Sequence, residues 1–570
     1  MLFLRRGLPG LVCGLFGGTL LVGGFGNLSL GLAVGAILGT AYTFALPHSI
    51  GRDGAAADRA MTAAAFGLPM WGAINVILLP LFTGQTPQWT AEGMRTLFPA
   101  LVGWLLFGFA LGLLATGAVH LAERLFGAIT PVAPARKIPE VKTHIVILGG
   151  GFAGVTTAIN LEKEFRADPT VAFTLVSETN ALLFTPMLAE VAASSLEPTH
   201  ISTPLRSSFR RTSVVRSKVS GIDLANRRVK LSDREEMLPY DHLVLALGAV
   251  SRMPPGDGIA ERALEFKTLA DAIRIRNHVI DAFDRAEAER DEAKRRALLT
   301  FVVAGGGFSG AELVGGLNDF ARGMLADYPN LAPEELRIVL VHSRDRILPE
   351  LSASLADYAL ERMRARGVTF ELNARLSVAC PGGVTLKRKE PDTAEFEIAT
   401  ETLVWTAGAV PNPLLQELAI ERDKRGAVVV EDTLCVKGSA GVWALGDCAV
   451  VPDAKTDKPC PPTAQFAIRE ARTLARNIRA AIKGEPLKPF HFDSLGTLCV
   501  VGHHSACAEI KGFKFSGFFA WFLWRTLYLS KLPGLERKVR VVADWTIELF
   551  FPRDIVQTID LHPPPKKSTV

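Results

Sequence analysis

The chain has 570 residues, of which 48% are hydrophobic and 21% charged, and its mean hydropathy is +0.24. This length predicts more than one domain, and the composition is apolar for a soluble enzyme. A formal net charge of only +5 argues against a nucleic-acid-binding protein, and seven cysteines without a C-x-x-C pair argue against a disulfide framework or a metal site.

Most of the apolar excess lies in residues 1–130, which predict a transmembrane domain of four helices. Each apolar stretch approaches the ~20 residues that a spanning helix requires. The four stretches are Leu8–Gly26, Leu28–Pro47, Ala60–Phe82 and Phe98–Val119. None contains an internal Asp, Glu, Lys or Arg, which proton pumps and ion carriers need inside the membrane. We therefore expect an anchor, or a platform for lipid or a partner, and no proton pump.

Basic residues cluster in the loops on one side of the predicted spans, and this asymmetry indicates their orientation. The clustered residues are Arg5, Arg6, Arg52, Arg59, Arg124, Arg136 and Lys137. The two other loops contain only Arg95. We expect a multi-pass protein of the cell (inner) membrane, with the domains that follow on the cytoplasmic side. Residues 131–143, rich in proline and charge, form the predicted linker.

The segment His144–Gly154 reads HIVILGGGFAG, an apolar run that ends in G-x-G-x-x-G before a helical pattern. Gly149, Gly151 and Gly154 permit a tight turn, close approach of the backbone to a pyrophosphate, and close packing of helix on strand. The next predicted strand ends at Glu178, whose carboxylate can accept both ribose hydroxyls of an adenosine. The alternative is an ordinary exposed glutamate at a strand end.

A second copy of this signature, Phe301–Gly310, reads FVVAGGGFSG. Its glycines are Gly305, Gly307 and Gly310. Two copies in register predict two dinucleotides held face to face, a flavin and a nicotinamide. The following strand ends at His342, with Arg344 beyond it, and lacks the acid that favours a free 2′-hydroxyl, so both NADH and NADPH stay open. Glu312, in the first helical turn, either favours the helix dipole or lies near the nicotinamide and flavin rings.

A third element, VWALGDCA, places Gly446 and Asp447 directly after a predicted strand. The Asp447 carboxylate suits a hydrogen bond to a flavin ribityl hydroxyl. Pro461-Pro462-Thr463 then begins a helical run. If the amino end of that helix faces the flavin, its N–H groups and dipole stabilise negative charge on the ring.

Together with LVWTAGAVPNP (Leu403–Pro413) and TAQFAIREA (Thr463–Ala471), these segments resemble the type II NADH:quinone oxidoreductases from about Thr143 onward. The resemblance implies an α/β fold with two Rossmann-like, glutathione-reductase-like domains. FAD would occupy residues 144–265 and 403–500, and NAD(P)H residues 266–402. It places FAD at Gly149, Gly151, Gly154, Glu178 and Asp447, and the nicotinamide nucleotide at Gly305, Gly307 and Gly310. Gly446 and His342 are further cofactor-binding candidates because of their positions after predicted strands.

The resemblance also places Gln465 beside the flavin at a quinone pocket. The alternative is that the Gln465 amide only caps the helix. Arg469 stands where the family often has a second glutamine. Glu312 and Gln465 are therefore the predicted catalytic residues, in supporting roles.

The C-terminal region, residues 501–570, is predicted to associate with the membrane. Phe513–Leu532 is dense in Phe and Trp and too short to span comfortably, which favours an interfacial helix over a buried core helix. Arg537, Lys538 and Arg540 add a basic flank.

These observations predict a membrane-bound, non-proton-pumping NAD(P)H:quinone oxidoreductase with FAD, and with membrane lipid and a quinone as partners. No metal is expected, and a homodimer stays an open alternative. The rival hypotheses are a sulfide:quinone reductase, for which Cys380, Cys435 and Cys448 would have to serve, and a ferredoxin-type reductase. A further rival is a membrane-tethered redox sensor or scaffold, which would bind NADH without sustained turnover.

Overall fold

The computed structural model describes residues 7–49, 60, 63–86, 96–126, 140–254, 258–389 and 393–557. The chain divides into two compact units, Met1–Ile138 and Pro139–Val570. Most of the basic residues used above to predict orientation, and most of the predicted linker, lie outside the described residues.

The first unit is helical throughout its described length. Its α-helices are Leu8–Gly18, Val22–Phe25, Leu28–Ser49, Gly67–Trp71, Leu79–Phe82 and Phe98–Phe126, with a 3₁₀ turn at Thr19–Leu21 and a π-helical stretch at Gly72–Leu78. Two helices are long and apolar enough to cross a membrane, Ala63–Phe82 and Phe98–Val119. The apolar helices Leu8–Leu21 and Leu28–Phe44 fall short of that length among the described residues. The predicted domain of four spans is therefore not supported by the described residues, which contain two helices of sufficient length, and the 3₁₀ turn Thr19–Leu21 interrupts the first apolar run before it ends at Gly26.

The helices Leu8–Gly18 and Leu28–Ser49 pack with their backbones in direct contact. A side chain at Gly14 would collide with the carbonyl of Gly35, and one at Gly35 would collide with the carbonyl of Gly14. Helices in lipid favour small residues spaced four apart, because these residues let two helix backbones approach this closely. Elsewhere in the unit, the Trp104 indole N–H donates to the Asn75 side-chain oxygen at 2.6 Å in the interior.

The second unit contains a five-stranded parallel sheet that begins at the first glycine signature. Its strands are, in spatial order, Val442–Ala444, His242–Leu245, Thr143–Leu148, Val171–Ser177 and Ser213–Arg216. The helices Phe152–Glu164 and Ala464–Lys483 pack against this sheet, and their apolar faces form one hydrophobic core with it. Because the central strands are buried on both faces, they form continuous apolar runs, as parallel sheets require.

A second five-stranded parallel sheet carries the second signature. Its strands are, in spatial order, Leu264–Glu265, Thr402–Trp405, Thr300–Ala304, Arg337–His342 and Val368–Leu372. Its helices are Leu269–Ala288, Glu292–Leu298, Phe308–Met324 and Ala353–Ala365, and the antiparallel strands Ala374–Cys380, Gly383–Arg388 and Glu395–Ala399 lie beside it. The predicted α/β class with two Rossmann-like sheets is confirmed.

Short elements connect these layers. The strands are Ala181–Leu183, Ser202–Pro204, Val219–Asp223, Arg228–Leu231, Leu238–Pro239, Ala249–Ser251, Ala409–Pro411, Val428–Val429 and Ala449–Val450. The short helices and 3₁₀ turns are Thr185–Met187, Leu188–Ala192, Pro198–Ile201, Leu205–Ser208, Ile259–Arg262, Leu325–Asp327, Pro413–Glu417 and Gly446–Cys448.

The C-terminal region adds three antiparallel strands and two helices. They are Gly496–Gly502, Ser505–Ile510 and Phe513–Ser516, followed by Gly517–Lys531 and Leu535–Glu548. The predicted interfacial helix thus begins at Gly517, because Phe513–Ser516 pairs as a strand. Ala520, Trp524, Val541 and Trp545 bury these helices against the core of the second sheet. The opposite faces expose Phe518, Phe519, Phe522, Ile547, Phe550 and Phe551.

Candidate functional site

The first glycine turn joins the strand Thr143–Leu148 to the helix Phe152–Glu164. Gly149 adopts a φ of +118°, and a side chain at Gly154 would collide with the Gly149 carbonyl oxygen. Around Gly151, by contrast, nothing lies within 4 Å of the place where a Cβ would stand. No side chain caps the helix start, so its first N–H groups are available to an anion. This turn fits the pyrophosphate of a dinucleotide.

Two carboxylates lie at the carboxyl edge of the same sheet. Glu178 follows the strand Val171–Ser177 directly and is exposed. Asp447 lies in the turn after the strand Val442–Ala444, half-buried, and burial raises the pKa of this carboxyl while Lys267 lowers it. The parallel strands bring both side chains to one edge, where an adenosine ribose and a flavin side chain would need them.

A third acid at this edge, which unlike the other two is fully buried, was missed by sequence reasoning. Glu470 is 3% exposed, and its Oε2 accepts a hydrogen bond from the Gly446 N–H at 2.8 Å. Burial is the main cause that raises the pKa of Glu470, to about 7, and Asp447 adds to it. One signal was available: Glu470 falls on the apolar stripe of its helix, between Ala467 and Leu474. Glu470 holds the turn that presents Asp447.

The second glycine turn repeats the geometry of the first. Gly305 has a φ of +126°, and a side chain at Gly310 would collide with the Gly305 carbonyl oxygen. Gly307 is open, with the Glu350 carboxylate oxygen 3.8 Å from its hypothetical Cβ as the nearest atom. The helix Phe308–Met324 again begins without a side-chain cap. A second pyrophosphate fits here.

His342 closes one side of the second turn. The Gly306 N–H donates to its Nδ1 at 3.0 Å, so Nδ1 is the acceptor nitrogen. Its Nε2 is buried and has no hydrogen-bond partner among the described residues. Burial lowers the pKa of His342, and Arg344 and Lys389 lower it further while Asp345 opposes them. The imidazole is therefore neutral at pH 7 and carries its proton on Nε2.

Glu312 lies in the first turn of the second signature helix, under the C-terminal region. Its Oε1 accepts the Val500 N–H at 3.4 Å, and burial raises the pKa of Glu312 to about 8, with a further contribution from Glu190. It lines an interior cavity of about 40 Å³, room for a few waters, together with Trp521 and Trp524. Glu312 is thus a protonated acid beside a small cavity.

Opposite Glu312, a group of ion pairs ties the C-terminal helices to the rest of the unit. The Arg525 guanidinium lies 3.6 Å from Glu190 and 3.1 Å from Glu548. Arg553 lies 2.7 Å from Glu548, which also accepts the Ser195 hydroxyl at 2.8 Å. Burial raises the pKa of Glu190 to about 7, against the effect of Arg525. Sequence reasoning missed this group, since its members are far apart in the chain.

Gln465 is the second residue of the helix Ala464–Lys483, and its side chain links this helix to the start of the first C-terminal strand. Its Nε2 donates to the Gly496 carbonyl at 3.1 Å, and its Oε1 accepts the Leu495 N–H at 3.0 Å. Arg469 donates to the Gln465 carbonyl at 2.7 Å and stacks on Phe492 at 4.1 Å from the ring centre. The amide thus positions the Leu495–Gly496 segment.

The cysteines relevant to the sulfide:quinone hypothesis divide between the two sheets, because Cys448 and Cys435 belong to or contact the core of the first sheet and Cys380 lies on a strand beside the second. Cys448 is buried, its thiol donates to the Leu245 and Leu445 carbonyls at 3.3 Å, and burial raises its pKa to about 11. Cys380 is exposed on a strand beside the second sheet. Across the part of the chain that the structure describes, no three His, Cys, Asp or Glu side chains are arranged to hold a metal ion.

Comparison with known proteins identifies the families and the solved structures to which this architecture is similar. The family described as pyridine nucleotide-disulphide oxidoreductase matches residues 143–471, and the one described as NDH2 C-terminal domain matches residues 494–554. The solved structure of NDH2 from Plasmodium falciparum in complex with NADH superposes with a TM-score of 0.68 at 18% identity, covering 73% of this chain and 100% of that one. That likeness supports the fold.

Sequence relatives carry the comparison further. The chain is 35% identical over 419 residues to the type II NADH:quinone oxidoreductase NdhA of Mycobacterium tuberculosis, covering 71% of this chain and 86% of that protein. It is 28% identical over 417 residues to the demethylphylloquinone reductase NdbB of Synechocystis, covering 71% and 96% respectively. From residue 143 onward the two turns, their sheets and the C-terminal region thus match one group of flavoproteins, and the chain belongs to the type II NADH:quinone oxidoreductases.

Proposed function

We propose that this protein transfers two electrons from NAD(P)H to a membrane quinone through a bound FAD. One structural observation carries the proposal. Phe152 and Phe308, the equivalent residues of the two glycine turns, pack against the same hydrophobic core, and Trp524 and Tyr528 of the C-terminal helix belong to or contact that core. Phe184 contacts both Phe152 and Tyr528, with ring centres 5.7 and 6.2 Å apart, and Glu312 of the second signature helix lines one cavity with Trp521 and Trp524. Both glycine turns therefore lie near the C-terminal helix.

The chain's own residues divide the work of binding. Gly149, Gly151 and Gly154 receive the FAD pyrophosphate, while Glu178 accepts the ribose hydroxyls and Asp447 a ribityl hydroxyl. When bound, FAD supplies the acceptor for hydride and the donor of two electrons. Gly305, Gly307 and Gly310 receive the pyrophosphate of the nicotinamide nucleotide, with His342 beside the ribose.

The helix Ala464–Lys483 adds electrostatic support. Its N-cap residue Thr463 makes no side-chain hydrogen bond to the helix, so the Ala464 and Gln465 N–H groups and the positive end of the dipole can act on a negatively charged ring. Gln465 is a positioning residue here, because it fixes Leu495 and Gly496 at the entrance to the C-terminal strands.

The overall reaction, NAD(P)H + H⁺ + quinone → NAD(P)⁺ + quinol, consumes one proton from the medium. Glu312 holds such a proton on its carboxyl group at neutral pH, because burial raises its pKa to about 8. The adjacent cavity, lined also by Glu190 and Arg525, is large enough for the waters that would return a proton to Glu312. We assign Glu312 the role of donating this proton during reduction of the quinone.

The membrane arrangement is also part of the proposal. The exposed Phe518, Phe519, Phe522, Phe550 and Phe551 suit an apolar face that enters the headgroup and acyl boundary. The N-terminal helices insert as a multi-pass domain with the nucleotide domains on the cytoplasmic side. Alkaline carbonate extraction of membranes tests insertion, since only a spanning chain resists it.

Purified full-length protein in detergent tests the activity. The expected result is about one extractable FAD per chain, and oxidation of NADH or NADPH that depends on an added soluble quinone at the rates usual for enzymes, about 1–1,000 per second. Flavin reduction without quinone-dependent turnover would instead support the sensor. Oxidation that requires sulfide or a ferredoxin would support the other reductases and overturn the proposal.

A further inference from the structure

The strand Arg337–His342 of the second sheet ends in a residue that is unusual for a nucleotide-binding site. The strand Arg337–His342 follows the second glycine turn and is paired to the strand Thr300–Ala304 that precedes the turn. In this fold, the side chain at that strand end meets the adenosine ribose of the nucleotide, and a carboxylate there accepts the 2′-hydroxyl. Here the residue is His342, so the ribose meets an imidazole.

The geometry of His342 defines what it can bind. Its Nδ1 is committed to the Gly306 N–H, and the ring packs 2.6 Å from where a Gly306 Cβ would stand, so the ring orientation is fixed. Its Nε2–H is buried without a partner among the described residues. The buried Nε2–H does not face a ligand, and the neutral imidazole cannot replace the carboxylate that accepts a hydrogen bond from the 2′-hydroxyl.

Two cations converge on the same strand end from distant parts of the chain. The Asn373 N–H donates to the Arg344 carbonyl at 3.0 Å, and the Lys389 N–H donates to the Asn373 carbonyl at 2.9 Å. These two bonds tie the backbones at Arg344 and Lys389 to each other through Asn373, and both side chains act electrostatically on His342. Both side chains are exposed, and neither forms an ion pair with a described residue.

Three acids of the described residues lie at or near this strand end. Asp345 is exposed next to Arg344, Glu371 is paired with Arg388 at 3.3 Å, and Glu350 has its carboxylate beside Gly307. Arg344 and Lys389 are therefore two cations without an ion pair among the described residues. Arginine and lysine side chains are the usual partners of a phosphate group.

We propose that Arg344 and Lys389 bind the 2′-phosphate of NADPH at the strand end where His342 stands in place of an acid, so that the second nucleotide site prefers the phosphorylated nucleotide. The inference rests on the proposed function only in assigning the second glycine turn to the nicotinamide nucleotide. It makes NADPH a substrate of this chain and turns the missing acid into a specificity determinant.

The test measures displacement of NAD⁺ from the FAD-loaded protein by two fragments, 2′,5′-ADP and 5′-AMP, which differ only in the 2′-phosphate. We expect 2′,5′-ADP to bind about tenfold or more tightly, with a difference that shrinks as salt rises. The double variant Arg344→Ala with Lys389→Ala should bind the two fragments equally and leave 5′-AMP unchanged. Arg388→Ala, on the same edge but paired with Glu371, is the matched control and should retain the difference.

A second variant addresses His342 itself. His342→Glu should weaken 2′,5′-ADP about tenfold or more through like-charge repulsion and favour NADH over NADPH. Equal affinity of the two fragments for the unaltered protein would overturn the inference, as would a preference that survives in the double variant. Quinone reduction with NADH alone, with equal fragment affinities, would overturn this inference while leaving the proposed function intact. A 2′-phosphate preference without any quinone reduction would overturn the function alone.

Discussion

Replacing Glu312 with glutamine tests the buried proton through stability. The glutamine keeps the shape of the side chain and can still accept the Val500 N–H, but it cannot titrate. Burial raises the pKa of Glu312 from its ordinary 4.5 to about 8. Below pH 4.5 both the folded and the unfolded chain carry the proton. Between these values only the folded chain does, so the free energy of unfolding falls as pH rises.

The magnitude follows from linkage. At ~1.4 kcal/mol per pH unit, the 3.5 units between 4.5 and 8 correspond to about 5 kcal/mol of stability lost from pH 4.5 to pH 8 and above. Glutamine removes this loss. For a unit of about 430 residues, the unfolding entropy converts 5 kcal/mol to roughly 5 °C. Glu190, whose pKa is also raised, remains in the variant and keeps its own pH dependence.

The assay is the melting temperature of the FAD-loaded protein in detergent at pH 5 and pH 8. We expect the drop between the two pH values to be roughly 4 °C smaller in Glu312→Gln than in the unaltered protein, because the interval from pH 5 to pH 8 contains about 3.5 kcal/mol of the total. Glu361→Gln, which changes an exposed carboxylate on the helix Ala353–Ala365, should retain the full drop. An identical drop in Glu312→Gln and the unaltered protein would show that Glu312 is not protonated when folded.

Three further predictions concern the rest of the site. Arg525→Ala should lower stability by about 3–5 kcal/mol, because it leaves Glu190 and Glu548 buried without their shared cation, and the loss in melting temperature should be larger at pH 8 than at pH 5. Equal losses at both pH values would argue against the ion pairs. Gly154→Ala should lower the ratio of flavin absorbance to protein, since a methyl group there strikes the Gly149 carbonyl, whereas Gly323→Ala meets open space and should retain FAD. Gln465→Ala should raise the KM for quinone while leaving the KM for NADH unchanged, because it frees Leu495 and Gly496 from the helix. Unchanged quinone kinetics would refute the placement of Gln465.

The sequence determined the parts of this protein that depend on neighbours in the chain. The two G-x-G-x-x-G turns are encoded by residues a few positions apart, since Gly149 and Gly305 need positive φ and Gly154 and Gly310 need the absence of a side chain. Buried parallel strands likewise show as local apolar runs. Fold class and family were therefore accessible without coordinates.

Only the tertiary structure decided which distant residues meet. It brought Val442–Ala444 into the first sheet beside His242–Leu245, and it set Glu470 under Gly446. It also joined Arg525 to Glu190 across more than 300 positions and Lys389 to Arg344 through Asn373. Periodicity reports which face of an element is buried, but the partner that satisfies a buried charge or donor depends on how the layers pack.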